Sequence, residues 1–150
     1  MLRSVHVITP AKLNLHLIVK EKRQDGFHGI ESIFQKIPLY DELLIEMADS
    51  KNTCKVISPG FNLPPNNTLV SAYNQFCKFT GITEGVVVTL KKCIPSGAGM
   101  GGGSSDAAGM LQGLQKLFEV SMTDADLKEA AETIGSDVPF FLYNGADYDA

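Results

Sequence analysis

The chain has no tryptophan, only three cysteines, and no apolar run as long as a membrane span. Cys54, Cys77 and Cys93 are odd in number and widely spaced, which suits neither a disulfide framework nor a cluster of metal ligands. They fit reduced thiols, acting as small buried hydrophobes, in a cytoplasmic protein. The first residues, Met1 to Val7, lack the apolar core of a signal peptide. Neither sign of charge dominates. A net charge of −4 provides no basic field, which argues against a general nucleic-acid or membrane-surface binder. There is no internal repeat. At 150 residues, 44% of them hydrophobic and 20% charged, the chain is long enough for one domain with a real core and too short for two ordinary ones.

Glycine, by contrast, is concentrated in one place. Pro95-Ser-Gly-Ala-Gly-Met-Gly-Gly-Gly-Ser-Ser105 carries five glycines between Gly97 and Gly103, and Asp106-Ala-Ala108 follows at once. An alternating strand, Val86 to Leu90, precedes it and a helical pattern begins within two residues of it. Strand, glycine loop and helix together aim bare backbone N–H groups at an anion, with the positive end of the helix dipole behind them. Ser104 and Ser105 can cap the helix and offer hydroxyls to a phosphate or its magnesium ion. The stretch therefore reads as a phosphate-binding loop, in which a side chain at Gly101 is expected to enter the phosphate path. A flexible linker would not be framed by a strand and an amphipathic helix. The Walker A pattern fails, because no lysine follows the last glycine. Gly97 to Gly102 matches GxGxxG, but another helix follows where a dinucleotide fold needs a second strand.

The first half of the chain has the period of β-structure. Val5 to Ile8 and Leu13 to Leu17 alternate, with Pro10 expected to interrupt the ladder between them for want of an N–H. Glu31 to Pro38 and Asp41 to Met47 predict two more strands, Lys55 to Ile57 a further one, and Gln24 to Gly29 a turn or loop. Helices follow. Asn67 caps one carrying Leu69, Ala72, Tyr73 and Phe76; Ala107, Leu111, Leu114 and Phe118 stripe a second. Thr123 to Asp126 open a third, which buries Leu127, Ala130, Ala131 and Ile134 and stops at Gly135. Ser136 to Leu142 is expected to return to strand. Strands first and helices later, on one face of a sheet, predict an α+β sandwich.

Three groups of residues can carry chemistry. Alternation puts Lys12, Asn14 and His16 on the face opposite Leu13, Leu15 and Leu17. On a solvated sheet that is unremarkable; under a bound ligand it aims a cation and an amide at a phosphate. Asp137 lies past the end of the third helix, where the dipole disfavours a carboxylate, and ahead of an apolar run. It is either a turn residue bonding its own backbone or a carboxylate with a cationic partner or a catalytic task. Phe27 and His28, on a loop flanked by glycines, can stack on a planar base and read its edge.

These motifs resemble the GHMP small-molecule kinases, the family of galactokinase and of homoserine, mevalonate and phosphomevalonate kinases. The glycine loop is similar to that family's phosphate loop. Pro-Ala-Lys-Leu-Asn-Leu-His-Leu, Asp-Gly-Phe-His and Gly-Ser-Asp-Val-Pro-Phe-Phe together resemble one branch of it. That branch phosphorylates, with ATP, the 2-hydroxyl of a cytidine-diphosphate-linked methylerythritol in non-mevalonate isoprenoid biosynthesis. The four motifs span residues 10 to 142 in the right order.

The resemblance implies a ribosomal protein S5 domain 2-like fold, a mixed β-sheet with helices packed on one face. It implies Lys12 and Asp137 as the catalytic pair, Asp137 as base and Lys12 stabilising charge. It implies ATP, with Mg2+, on Pro95, Ser96, Gly97, Ala98, Gly99, Met100, Gly101, Gly102, Gly103, Ser104 and Ser105. Asn14 matches a substrate contact, and Phe27 and His28 a cytosine clamp, with Phe where Tyr is often found; stacking survives that change. By the same resemblance residues 1–150 form the N-terminal, ATP-binding domain. The family's ferredoxin-like C-terminal domain is expected to be absent from this chain, and residues 147 to 150 fit the family poorly. Surface meant for that domain is expected to favour self-association. The expected partners are ATP and a small molecule bearing a cytidine diphosphate, not nucleic acid or a membrane. Another GHMP kinase of homoserine or mevalonate type, or a non-catalytic nucleotide- or RNA-binding module, are the alternatives.

Overall fold

A computed structural model describes residues 3–22, 28–96, 99–144 and 147–149; for 14–22, 28–34, 144 and 147–149 the description is of the backbone alone. The elements run β1 (Ser4–Lys22), β2 (His28–Lys51), β3 (Cys54–Ile57), α1 (Thr68–Thr80), β4 (Glu84–Lys91), α2 (Gly102–Leu117), α3 (Asp124–Ile134), α4 (Val138–Asn144) and β5 (Asp147–Asp149). The sheet order is β3-β4-β2-β1-β5. β3 lies parallel to β4 and the other neighbours are antiparallel, so the sheet is mixed, as expected.

Alternation decides which face is covered. Val7, Leu43 and Leu90 lie side by side across β1, β2 and β4, and so do Val5, Ile45 and Val88; all six are buried. Against them lies α2, whose approach needs small residues: a Cβ on Gly109 would strike Thr9, and one on Gly113 would lie 2.6 Å from Ile45 Cδ1. The expected stripes of α1 and α2 are buried throughout, as are Leu127, Ala130 and Ala131 of α3, while Ile134 is half-buried. Asn67 Oδ1 accepts from the N–H groups of Leu69 and Val70 at 3.0 and 3.1 Å, and Thr123 Oγ1 from Asp126 N–H at 3.1 Å, so both predicted caps are made.

The structure corrects four expectations. The ladder does shift at Pro10, as expected, but the strand runs on through it, and the four predicted strands are two long ones. Pro10 pairs with Tyr40 and the next residue, Ala11, with Ile37, so that Pro38 and Leu39 are left out of the ladder. Two residues without an N–H thus share one bulge, and pairing resumes beyond it. The stretch from Ser136 to Leu142 is not a strand, since Val138–Asn144 form α4. Val138, Phe141 and Leu142, at i, i+3 and i+4, face inward, and Pro139 falls in the first turn, where its missing N–H costs nothing. Ser104 and Ser105 do not cap α2. The helix starts at Gly102, its cap residue is Gly101 in the left-handed region at φ 71°, and no side chain caps it. All three cysteines are free but, contrary to expectation, none is fully buried: Cys54 and Cys77 are half-buried and Cys93 is exposed. No helix among the described residues is long and apolar enough to cross a membrane.

Candidate active site

Of the sheet residues near the bulge, Lys12 has its side chain on the covered face and is 6% exposed, whereas its neighbour Leu13 is 44% exposed. Its ammonium Nζ lies 3.2 Å from Asp137 Oδ2. Asp137 reaches that place because α3 ends at Ile134 and α4 begins at Val138, leaving it in the turn between them. It precedes a helix rather than a strand, so the dipole of α4 favours a carboxylate there. The Lys12 N–H donates to Met100 O at 2.8 Å, so the strand that carries the lysine also holds the glycine loop.

Gly101 sits between them. A Cβ there would come within 2.8 Å of Lys12 Cγ and 3.0 Å of both Lys12 Cε and Phe141 Cζ. It would thus strike the lysine stem. The loop also touches α1: Thr68 Oγ1 donates to Gly103 O at 2.9 Å. Between the starts of α1 and α2 opens a cleft of about 300 Å³, lined by the loop residues Pro95, Ser96 and Gly99 to Ser104 and by Phe61, Asn67, Thr68, Lys92 and Asp106. With no side-chain cap and no acidic residue in its first turn, α2 presents a bare helix start to this cleft. The Ser105 hydroxyl is buried and has no hydrogen-bond partner among the described residues.

Under the loop lies a buried polar cluster that the sequence did not reveal. Lys92 Nζ donates to Asp41 Oδ2 at 2.7 Å and lies 3.5 Å from Asp106 Oδ2. Asp41 Oδ1 accepts from the N–H groups of Cys93 and Ile94 at 2.7 and 2.8 Å. Thr9 Oγ1 donates to Asp106 Oδ1 at 2.6 Å. Burial first, then the hydrogen bond and charge of Asp41, push the Asp106 carboxyl well above the usual carboxylate range; Lys92 and Thr9 pull the other way. One signal was present in the sequence: Asp106 shares the buried stripe of α2 with Met110, Gly113 and Leu117.

The structure therefore brings Lys12, Asp137 and the loop residues Gly99 to Ser105 together. Gly97, Ala98 and Phe27 lie outside the described residues. Asn14 pairs through its backbone with Phe34, and His28 through its backbone with Lys22, at the far end of the β1–β2 hairpin; their side chains lie outside the description. Among the described residues no group of His, Cys, Asp and Glu is arranged to hold a metal ion.

A strand, a glycine loop, a bare helix start and a buried lysine beside it form the site of this α+β fold. The chain belongs to the GHMP kinases, matching the family's N terminal domain over residues 67–145. It is 46% identical over 145 residues to a 4-diphosphocytidyl-2-C-methyl-D-erythritol kinase of Treponema pallidum (strain Nichols), an alignment covering 97% of this chain and 50% of that protein. To the kinase of the same name in Thermotoga maritima it is 45% identical over 142 residues, covering 95% of this chain and 51% of the relative. Among solved structures, a 4-(cytidine 5'-diphospho)-2C-methyl-D-erythritol kinase superposes with a TM-score of 0.73 at 35% identity, over 96% of this chain and 51% of that one. The Methanococcus jannaschii mevalonate kinase, at TM-score 0.70 and 15% identity over 96% of this chain and 52% of that one, shares the fold. The chain spans about half the length of the curated relatives it matches.

Proposed function

We propose that this chain is the ATP-binding part of a kinase that transfers the γ-phosphoryl group of ATP to the 2-hydroxyl of 4-diphosphocytidyl-2-C-methyl-D-erythritol, in non-mevalonate isoprenoid biosynthesis. The observation that carries the reading is the 3.2 Å Lys12–Asp137 pair, tied through Lys12 N–H to the glycine loop. The names of the relatives support the choice of substrate.

Phosphoryl transfer asks little covalent work of a protein beyond positioning and charge neutralisation. In this reading the N–H groups of the loop and of the first turn of α2 hold the triphosphate, with Pro95 to Ser105 as its cradle. Asp137, one-third exposed, takes the proton of the acceptor hydroxyl as general base, and the adjacent Lys12 ammonium offsets charge on the transferring group. The partly apolar cleft walls of Phe61 and Leu69 suit the nucleoside of ATP. Magnesium, when bound with ATP, neutralises phosphate charge. The Ser105 hydroxyl, buried and without a hydrogen-bond partner among the described residues, is an oxygen that would hold it, and the phosphates would supply most of its other ligands. Asn14 contacts the acceptor, and Phe27 and His28 clamp its cytosine.

The test is a panel of acceptors offered to the intact protein with ATP, the product identified by phosphorus NMR. Phosphate on the 2-hydroxyl of the cytidyl substrate, with mevalonate and homoserine untouched, is the expected result. Preferential phosphorylation of either of the other two would overturn the reading.

A further inference from the structure

Lys92 and its two carboxylates have no part in the scheme above, yet they stand directly under the glycine loop. Asp41 is 0% exposed, on β2, far from the loop in sequence. Its Oδ1 nevertheless takes both N–H groups, Cys93 and Ile94, just ahead of Pro95, and its Oδ2 takes the Lys92 ammonium. A single carboxylate thus fixes the last three residues of the strand-to-loop junction. Lys92 Nζ lies 2.5 Å from where a Cβ on Gly102 would be, so the ammonium occupies the volume beneath the first residue of α2. Asp106, one turn into α2, takes the same ammonium from the other side and is itself held by Thr9 of β1. The loop is pinned at both ends to one buried cation.

We propose that Asp41 is a positioning residue for the nucleotide: through the Cys93 and Ile94 N–H groups and the Lys92 ammonium it sets where the phosphate loop stands, and so governs affinity for ATP and not for the acceptor. The proposal rests on the reading of the loop as the ATP site. Charge-assisted bonds are the strong ones, and removing one partner of a buried pair leaves the other charge uncompensated. Asp41→Asn keeps an oxygen to accept from Cys93 and Ile94 but removes the anion facing Lys92. The ammonium is then free to turn toward Asp106 and the cleft, and Gly102 loses its support. Because loop placement matters at the ångström level, a small shift is enough to weaken phosphate binding.

The experiment measures calorimetric binding of a non-hydrolysable ATP analogue, and the KM of each substrate, in the intact protein carrying Asp41→Asn, Lys92→Met or both. The expected result is an analogue Kd raised about tenfold or more in each single variant. The double variant should be no worse than the weaker single one, because the residues act as one unit. The KM for the acceptor should stay within about twofold. Should Asp41→Asn fail to fold, Thr9→Val, which removes only the hydroxyl holding Asp106, takes its place beside Lys92→Met. Analogue affinity within about twofold of the wild type in folded single variants, additive losses in the double, or equal weakening of ATP and acceptor would each overturn the proposal. A wild-type protein that binds no analogue would instead overturn the ATP-site reading beneath it.

Discussion

Gly101 is the point at which a single added carbon separates the chemistry from the binding. Its φ of 71° lies in the left-handed region, which costs an L-residue roughly 1–2 kcal/mol. A Cβ would also sit 2.8 Å from Lys12 Cγ and 3.0 Å from Phe141 Cζ, where carbon contacts ordinarily stand at about 3.5–4.0 Å. Something must move by roughly 0.5–1 Å. Phe141 is 1% exposed and packed on the core, so the flexible lysine stem gives way, and Lys12 Nζ leaves Asp137. Overpacking of this kind costs roughly 1–3 kcal/mol, so Gly101→Ala should lose about 2–5 kcal/mol of stability in all. A catalytic group misplaced by about 1 Å costs about 10²-fold in rate. The Cβ meets Lys12 and Phe141, neither of which lines the cleft, so ATP affinity should change far less than turnover. The assay is steady-state ADP release by the intact Gly101→Ala protein below its melting temperature, beside a calorimetric ATP titration. A folded variant that keeps kcat and loses only ATP affinity would refute the reasoning, because the added carbon would then lie in the phosphate path.

Other outcomes follow from the same geometry. Asp137→Asn should lower kcat about 10²–10⁴-fold with little change in either KM, as expected for a positioned general base; steady-state kinetics decide. Asp106 has its pKa raised by burial, so the folded state binds the proton more tightly than the unfolded one. That contribution is fully present below the unfolded value of about 3.8 and is lost as pH rises through the higher folded value. Asp106→Asn should therefore flatten the fall in melting temperature as pH rises above about 4, and an unchanged slope would show that another group is responsible. Exposed Cys93 should be alkylated first by iodoacetamide, because burial pushes the Cys54 thiol up to about 12 and raises Cys77 as well; peptide mass mapping reads the order. Phe27→Ala should weaken cytidine-nucleotide binding by roughly 1–3 kcal/mol, the size of one aromatic–base stack, and equal affinities would exclude the clamp.

Much of this protein could be read along the chain, wherever the cause is local. Asn67 and Thr123 cap helices because an acceptor before an apolar period has one use, and the i, i+3, i+4, i+7 stripe of α1 and the i, i+4, i+7, i+11 stripe of α2 say which face is inside. The glycine loop between β4 and α2 was legible for the same reason: absent Cβ atoms and a helix start just beyond them are properties of a few adjacent residues. What the chain could not show depends on partners far away in sequence. Pro10 stays in its strand because Pro38, on the opposite strand, falls at the same bulge. The apolar run after Asp137 has a composition that serves strand or helix, and packing on the core selects the helix, which also reverses the field at Asp137. That Lys12 is buried while Leu13 is exposed inverts the ordinary reading of an alternating strand, and only the loop and α4 packed over that face account for it. Asp41, Lys92 and Asp106 look like three unremarkable charges, yet 51 residues separate the first two and their carboxylate and ammonium stand 2.7 Å apart. A charge is sorted from the surface into a site by what lies opposite it, and the folding of the sheet under α2 decides that.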